Sequence, residues 1–206
     1  MKPLLRVGVL ASGRGSNLQA LLDASARPGF PARVVVVVSD REDARALARA
    51  TERGVAAVFV NPKDHGDRAT YDGAVSRVLE AHQVGLVCLA GFMRLLSPAF
   101  VRAWSGRVMN IHPSLLPAFP GLAAQRQALE RGVKVAGATV HFVDEGLDTG
   151  PIVLQSAVPV EPADTEETLS ARILAEEHRL YPEAVRLFAE KRLRILGRRV
   201  IVEGPA

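Results

Sequence analysis

The chain has 206 residues, 48% of them hydrophobic and 23% charged, with a formal net charge of +4. That is enough chain to bury a sizeable core, in a composition ordinary for a globular domain. Only 5% of the residues are aromatic, and Cys88 is the single cysteine. Stacking platforms for single-stranded nucleic acid are therefore scarce, and an intramolecular disulfide or a thiolate zinc cluster is excluded.

The positive balance is carried almost wholly by arginine; the lysines are Lys2, Lys63, Lys134 and Lys191. Charge of this kind fits a small anionic substrate as well as a nucleic acid or a membrane surface. Cys88 sits in an apolar run and reads as a small buried hydrophobe in a reducing compartment, so a cytoplasmic protein is expected. Arg6 interrupts the first apolar stretch before it reaches the length of a secretory leader. The apolar stretch from Gly85 to Trp104 is broken by Arg94 and by Ser97-Pro98, which argues against a membrane span.

Short apolar runs alternate with helical spacing. Leu4–Leu10 reads as a strand, Ser12–Gly15 as a glycine-rich turn and Asn17–Ala26 as a helix with Leu18, Leu21 and Leu22 on one face. Arg33–Ser39 holds five consecutive valines, the signature of a strand buried on both faces. A helix over Asp43–Arg53 stops at Gly54. A strand at Ala57–Val60, a helix at Arg68–His82, a strand at Val84–Ala90 and a short helix at Pro98–Trp104 follow. Arg107–Ile111 is a strand and Ala123–Arg131 a helix. The repeated β-α order predicts an α/β fold with a mostly parallel, twisted sheet and helices on both faces.

After Gly132 the pattern changes. Ala138–Val143 and Ile152–Val160 are strands with no helix between them, so antiparallel pairing is expected. A long helix then runs to about Ala189, with Asp164 and Glu167 placed as a capping box and a kink expected at Pro182. Leu193–Leu196 and Arg198–Val202 flank Gly197 as a hairpin. The chain reads as a single domain over 1–206. Its parts are a phosphate-binding half (1–105), a catalytic half (106–190) and a tail (191–206).

Two places carry chemistry. The first is Ser12-Gly13-Arg14-Gly15-Ser16-Asn17, between a strand and a helix. Glycines let backbone approach an anion, and N–H groups at a helix start point at it. Leu18 stands where the third glycine of a dinucleotide motif belongs, and no Lys-Ser/Thr pair completes a P-loop, so a single phosphate fits best. A tight turn without ligand is the competing reading.

The second is Asn110-Ile111-His112-Pro113-Ser114-Leu115-Leu116-Pro117. Asn110 and His112 share one face of a strand end, ~6.5–7 Å apart along it. Pro113 keeps His112 extended. An amide donor and an imidazole on one face can hold a developing oxyanion, and the imidazole can move a proton near neutral pH. Asp148, in the glycine-bounded loop before Thr149-Gly150, is a carboxylate candidate to partner His112. The alternatives remain open: hydrogen-bonded turn residues for Asn110 and His112, and a solvated loop acid for Asp148. His65, His82, His112, His141 and His178 form no metal-ligand spacing, so no metal is expected.

Together, Gly15–Ala20, Leu89–Ser97, Asn110–Pro117, Thr139–Val143, and Glu177-His178 with Pro182 resemble the phosphoribosylglycinamide formyltransferase family, in order and spacing, over nearly the whole chain. The resemblance implies a Rossmann-like formyltransferase fold and a formyl transfer from 10-formyltetrahydrofolate to the amine of a phosphorylated glycinamide riboside. It implies that Gly15, Ser16 and Asn17 hold the phosphate and Glu177 the ribose hydroxyls. Leu89, Met93, Arg94, Leu95, Leu96 and Val101 would line the folate cleft, with Arg68 near both ligands and backbone from Val143 and Asp144 onward on the heterocycle. Asn110, His112 and Asp148 would be catalytic, with Asp148 keeping His112 charged.

Gln125 stands where family members often carry histidine, a departure in the segment after the catalytic loop. Small-molecule substrates are the expected partners, with no nucleic acid, no membrane, and a monomer or homodimer. The rivals are methionyl-tRNA formyltransferase, which normally has a further tRNA-binding domain, and formyltetrahydrofolate hydrolase, which usually has an extra N-terminal domain. A non-catalytic folate- or nucleotide-binding module is the rival of another class.

Overall fold

The computed structural model of the protein describes residues 3–204. The chain separates into two compact units, 1–110 and 111–206.

The first unit holds β1 (Leu5–Leu10), α1 (Ser16–Ser25), β2 (Ala32–Ser39), α2 (Arg45–Glu52), β3 (Ala56–Phe59), α3 (Arg68–Ala81), β4 (Leu86–Leu89), α4 (Pro98–Ala103) and the start of β5 (Val108–His112). Its strands lie in the order β3-β2-β1-β4-β5, and the pairs β1·β2, β2·β3, β1·β4 and β4·β5 are parallel. The valine run of β2 is buried at Val34, Val36, Val37 and Val38. β-branched side chains pack well on a pleat covered on both faces.

The chain winds outward from β1 to β3, then returns to β4 on the other side of β1. The reversal opens a crevice beyond the carboxyl ends of β1 and β4, where open α/β sheets bind ligands. Helix ends are set locally. Asp67 and Thr70 cap α3 reciprocally, and Ser97 accepts from Phe100 N ahead of Pro98 in α4. Gly54, with φ +66, stops α2 as its residue type predicts.

The second unit takes the end of β5, then α5 (Ala124–Glu130), β6 (Val135–Phe142), β7 (Ile152–Pro159), α6 (Glu166–Ala189), β8 (Leu193–Leu196) and β9 (Arg199–Val202). Here β6·β7 and β8·β9 are antiparallel while β7·β9 is parallel. α6 packs on β6 and β7, burying Leu169, Ile173, Leu180, Tyr181 and Leu187. Each large apolar side chain so buried contributes about 1.5–3 kcal/mol.

The cap of α6 differs from the expectation. Thr165, not Asp164, is the N-cap, and it exchanges hydrogen bonds with Thr168 rather than Glu167. Asp164 is drawn off by the Arg172 guanidinium, with two contacts of 2.7 and 2.9 Å. A bidentate pair to arginine outweighs a single backbone N–H as a partner for a carboxylate. The helix is one element through Pro182. Among the described residues, no helix is long and apolar enough to cross a membrane.

Candidate active site

In the first unit, Gly15 caps α1 in the left-handed region, with φ 70 and ψ 36. The helical ladder opens with Gln19 N donating to Gly15 O at 2.9 Å, so the turn before it directs its N–H groups out of the helix end. A β-carbon on Gly15 would lie 3.0 Å from both Cα and Cβ of Ala46. Glycine is needed there for conformation and for space.

α2 pins the loop from outside. Arg49 donates to Arg14 O at 2.9 Å and to Gln19 Oε1 at 2.8 Å, and Ala46 N donates to Gly13 O at 3.1 Å. Ser12 ties the same loop to the segment after β4: its N–H donates to Gly91 O at 3.0 Å and its Oγ accepts from Met93 N at 2.9 Å. The turn is thus a rigid cradle at the crevice, with Ser16 and Asn17 as the first residues of α1.

Beyond β4, Met93 and Leu95 are 66% and 61% exposed, while Leu89 and Val101 are buried and Leu96 is half-buried. The Arg94 guanidinium lies over the Tyr71 ring, 4.8 Å from its centroid. Burial, with Asp40 nearby, raises the Tyr71 phenol well above its ordinary range. Arg68 is exposed on the first turn of α3. Asn110 ends the first unit, half-buried on β5 and level with Leu89.

In the second unit, His112 ends β5, two residues beyond Asn110 and on the same face by strand alternation. Its ring is buried and lies between two acceptors. Nε2 is 2.8 Å from Phe119 O and Nδ1 is 3.4 Å from Asp148 Oδ2. Both partners are satisfied together only when both ring nitrogens carry hydrogen, as in an imidazolium. Asp148 is itself held by Gly121 N, which donates to Oδ2 at 2.8 Å.

The Asp148 carboxylate also faces His141, with Nε2 3.7 Å from Oδ1. His141 is buried, and its Nδ1 donates to Phe142 O at 2.8 Å. Burial holds the His141 imidazole below its ordinary pKa. The Asp148 carboxylate works against that depression.

Sequence reasoning gave His141 no role, though it lay inside a stretch that carried the resemblance. The available signal was its parity with Thr139 along β6. Thr139 is buried too. Its hydroxyl donates to Ser114 O at 2.6 Å and accepts from Leu116 N at 3.1 Å, fixing the loop after His112. Asp144 closes the loop before Asp148, accepting from Gly146 N at 3.0 Å and Thr149 Oγ1 at 2.7 Å. Val143 is half-buried at its start, and Glu177 is buried on α6. Among the described residues, no group of three or more His, Cys, Asp or Glu side chains is disposed to hold a metal ion.

The family model described as formyl transferase matches residues 5–185. The chain belongs to the formyl transferase family.

It is 44% identical over 191 residues to the phosphoribosylglycinamide formyltransferase of Escherichia coli, covering 93% of this chain and 90% of that one. It is 53% identical over 182 residues to a trifunctional purine biosynthetic protein of Drosophila melanogaster, covering 87% of this chain and 14% of that protein. Against the trifunctional relatives it matches, the chain spans 14–19% of their length. Among solved structures, a glycinamide ribonucleotide transformylase from Symbiobacterium toebii is 57% identical with a TM-score of 0.97, covering 99% of this chain and 96% of that one. A formyltetrahydrofolate deformylase from Pseudomonas syringae is 30% identical with a TM-score of 0.90, covering 98% of this chain and 67% of that one.

Proposed function

We propose that the protein transfers the formyl group of 10-formyltetrahydrofolate to the amine of 5'-phosphoribosylglycinamide. The products are formylglycinamide ribonucleotide and tetrahydrofolate, in purine biosynthesis. The observation that carries this reading is His112, buried at the end of β5 between the Asp148 carboxylate and a carbonyl, in a chain similar to named phosphoribosylglycinamide formyltransferases.

The amine nitrogen attacks the formyl carbon and the carbonyl electrons move onto oxygen. Asn110 donates to that oxygen. The oxygen electrons then re-form the carbonyl as the C–N10 bond breaks, the bond's electron pair stays on N10, and N10 takes a proton from the His112 imidazolium. The attacking amine gives up its own proton through water on the Asp148 side, and His112 is restored. For this the substrate replaces the Phe119 carbonyl at Nε2, while Nδ1 keeps its partner.

Gly15, Ser16 and Asn17 bind the phosphate on the first turn of α1 and Glu177 the ribose. Met93, Leu95, Leu96, Leu89 and Val101 hold the folate, with Arg68 and Arg94 on its polar parts and the backbone of 143–144 on its heterocycle. In this reading 1–206 acts as one formyltransferase domain, with residues 191–206 as an appended tail.

The test is release of tetrahydrofolate from 10-formyltetrahydrofolate by the purified protein, with and without the ribonucleotide. Release that needs the ribonucleotide and falls by about 10²–10³ in Asn110→Ala or His112→Ala is expected. Release without the ribonucleotide would favour hydrolysis, as in the Pseudomonas relative's name. Near-normal turnover in either folded variant would remove that residue from the mechanism.

A further inference from the structure

We propose that Arg198, in the turn between β8 and β9, is a positioning residue for Asp148. Its guanidinium donates to Thr149 O at 3.0 Å, across 49 residues of sequence. Thr149 follows Asp148 directly, so this bond holds the Thr149–Gly150 peptide, one residue beyond Asp148. β9 is itself anchored beside the loop, because Arg199 pairs with Ile152 at the start of β7.

The loop needs such a hold. Asp148 has φ 54, in the left-handed region where a side chain is strained. Packing is open on one side, where a cavity of about 220 Å³ lies against Asp148, lined also by Leu116, Pro120, Leu147, Ile152 and Arg198. On the opposite side the chain is tightly seated: a β-carbon at Gly150 would collide with Phe142 O. Gly121 N holds the carboxylate, and the Arg198 bond holds the backbone just beyond it. Residue 198 lies outside the 5–185 that the family model matches. The restraint therefore comes from a segment beyond the part of the chain that defines the family.

Gly121 N reports the position of Asp148, because it donates to that carboxylate. Amide hydrogen exchange of the full protein without substrates is compared for wild type, Arg198→Ala and Arg199→Ala. The expected result is about tenfold faster exchange at Gly121 in Arg198→Ala alone, with the thermal midpoint unchanged. Equal exchange in wild type and Arg198→Ala overturns the proposal. So does a uniform speed-up across the protein, or the same change in Arg199→Ala, which removes equal charge without the bond. A second readout rests on the proposed formyl transfer: kcat falls about tenfold in Arg198→Ala and KM for both substrates holds. An inactive wild type with the Gly121 effect intact would count against the transfer and leave the positioning standing.

Discussion

Replacing Asp148 by Asn tests the charge beside His112 without changing shape. The carboxylate oxygen lies 3.4 Å from Nδ1, and the side chain is 12% exposed. At an effective dielectric of about 20, unit charges at that distance attract by about 5 kcal/mol. The Asn oxygen still accepts from Gly121 N and from the ring, retaining about 1–2 kcal/mol of hydrogen bonding. The remaining 3–4 kcal/mol of lost attraction to the charged ring corresponds to about 10²–10³ in kcat. KM for the ribonucleotide should stay within a few fold. The assay is tetrahydrofolate release at saturating substrates. A folded Asp148→Asn protein losing less than tenfold refutes the argument.

Two further outcomes are expected. Gly15→Ala should cost about 1–2 kcal/mol in backbone strain and push the loop off Ala46. It should raise KM for the ribonucleotide about tenfold while kcat stays near wild type; an unchanged KM would remove the cradle from phosphate binding. Asp164 is held well below the usual carboxylate range by Arg172, then by Glu161 N and the Thr168 hydroxyl. A depressed folded-state pKa contributes stability above the unfolded value near 3.8, and that stability is lost as pH falls further, through the folded-state value. Asp164→Asn should therefore melt below wild type near neutral pH and converge with it in strong acid. Parallel Tm-versus-pH curves would show that the pairing contributes nothing.

The order and kind of the elements could be read in the sequence because they depend on near neighbours. Five valines make β2, Gly54 ends α2, Ser97-Pro98 starts α4, and two residues of extended chain put Asn110 and His112 on one face. The cap of α6 was misplaced by one residue for a related reason. Local spacing offered Asp164 a helix end, and an arginine eight residues on offered it a stronger partner. What surrounds His112 belongs to another scale. The Phe119 carbonyl, the Asp148 carboxylate, the facing His141 and the Arg198 anchor lie 7 to 49 residues apart in their pairings.

Sequence by itself determined the strands, the turns and the residue types that can do this chemistry, since periodicity and turn preference act within a few residues. Only the tertiary structure decided which acceptors His112 meets and what holds Asp148 in place. Those contacts are set by strand register and loop closure, which emerge when distant segments pack.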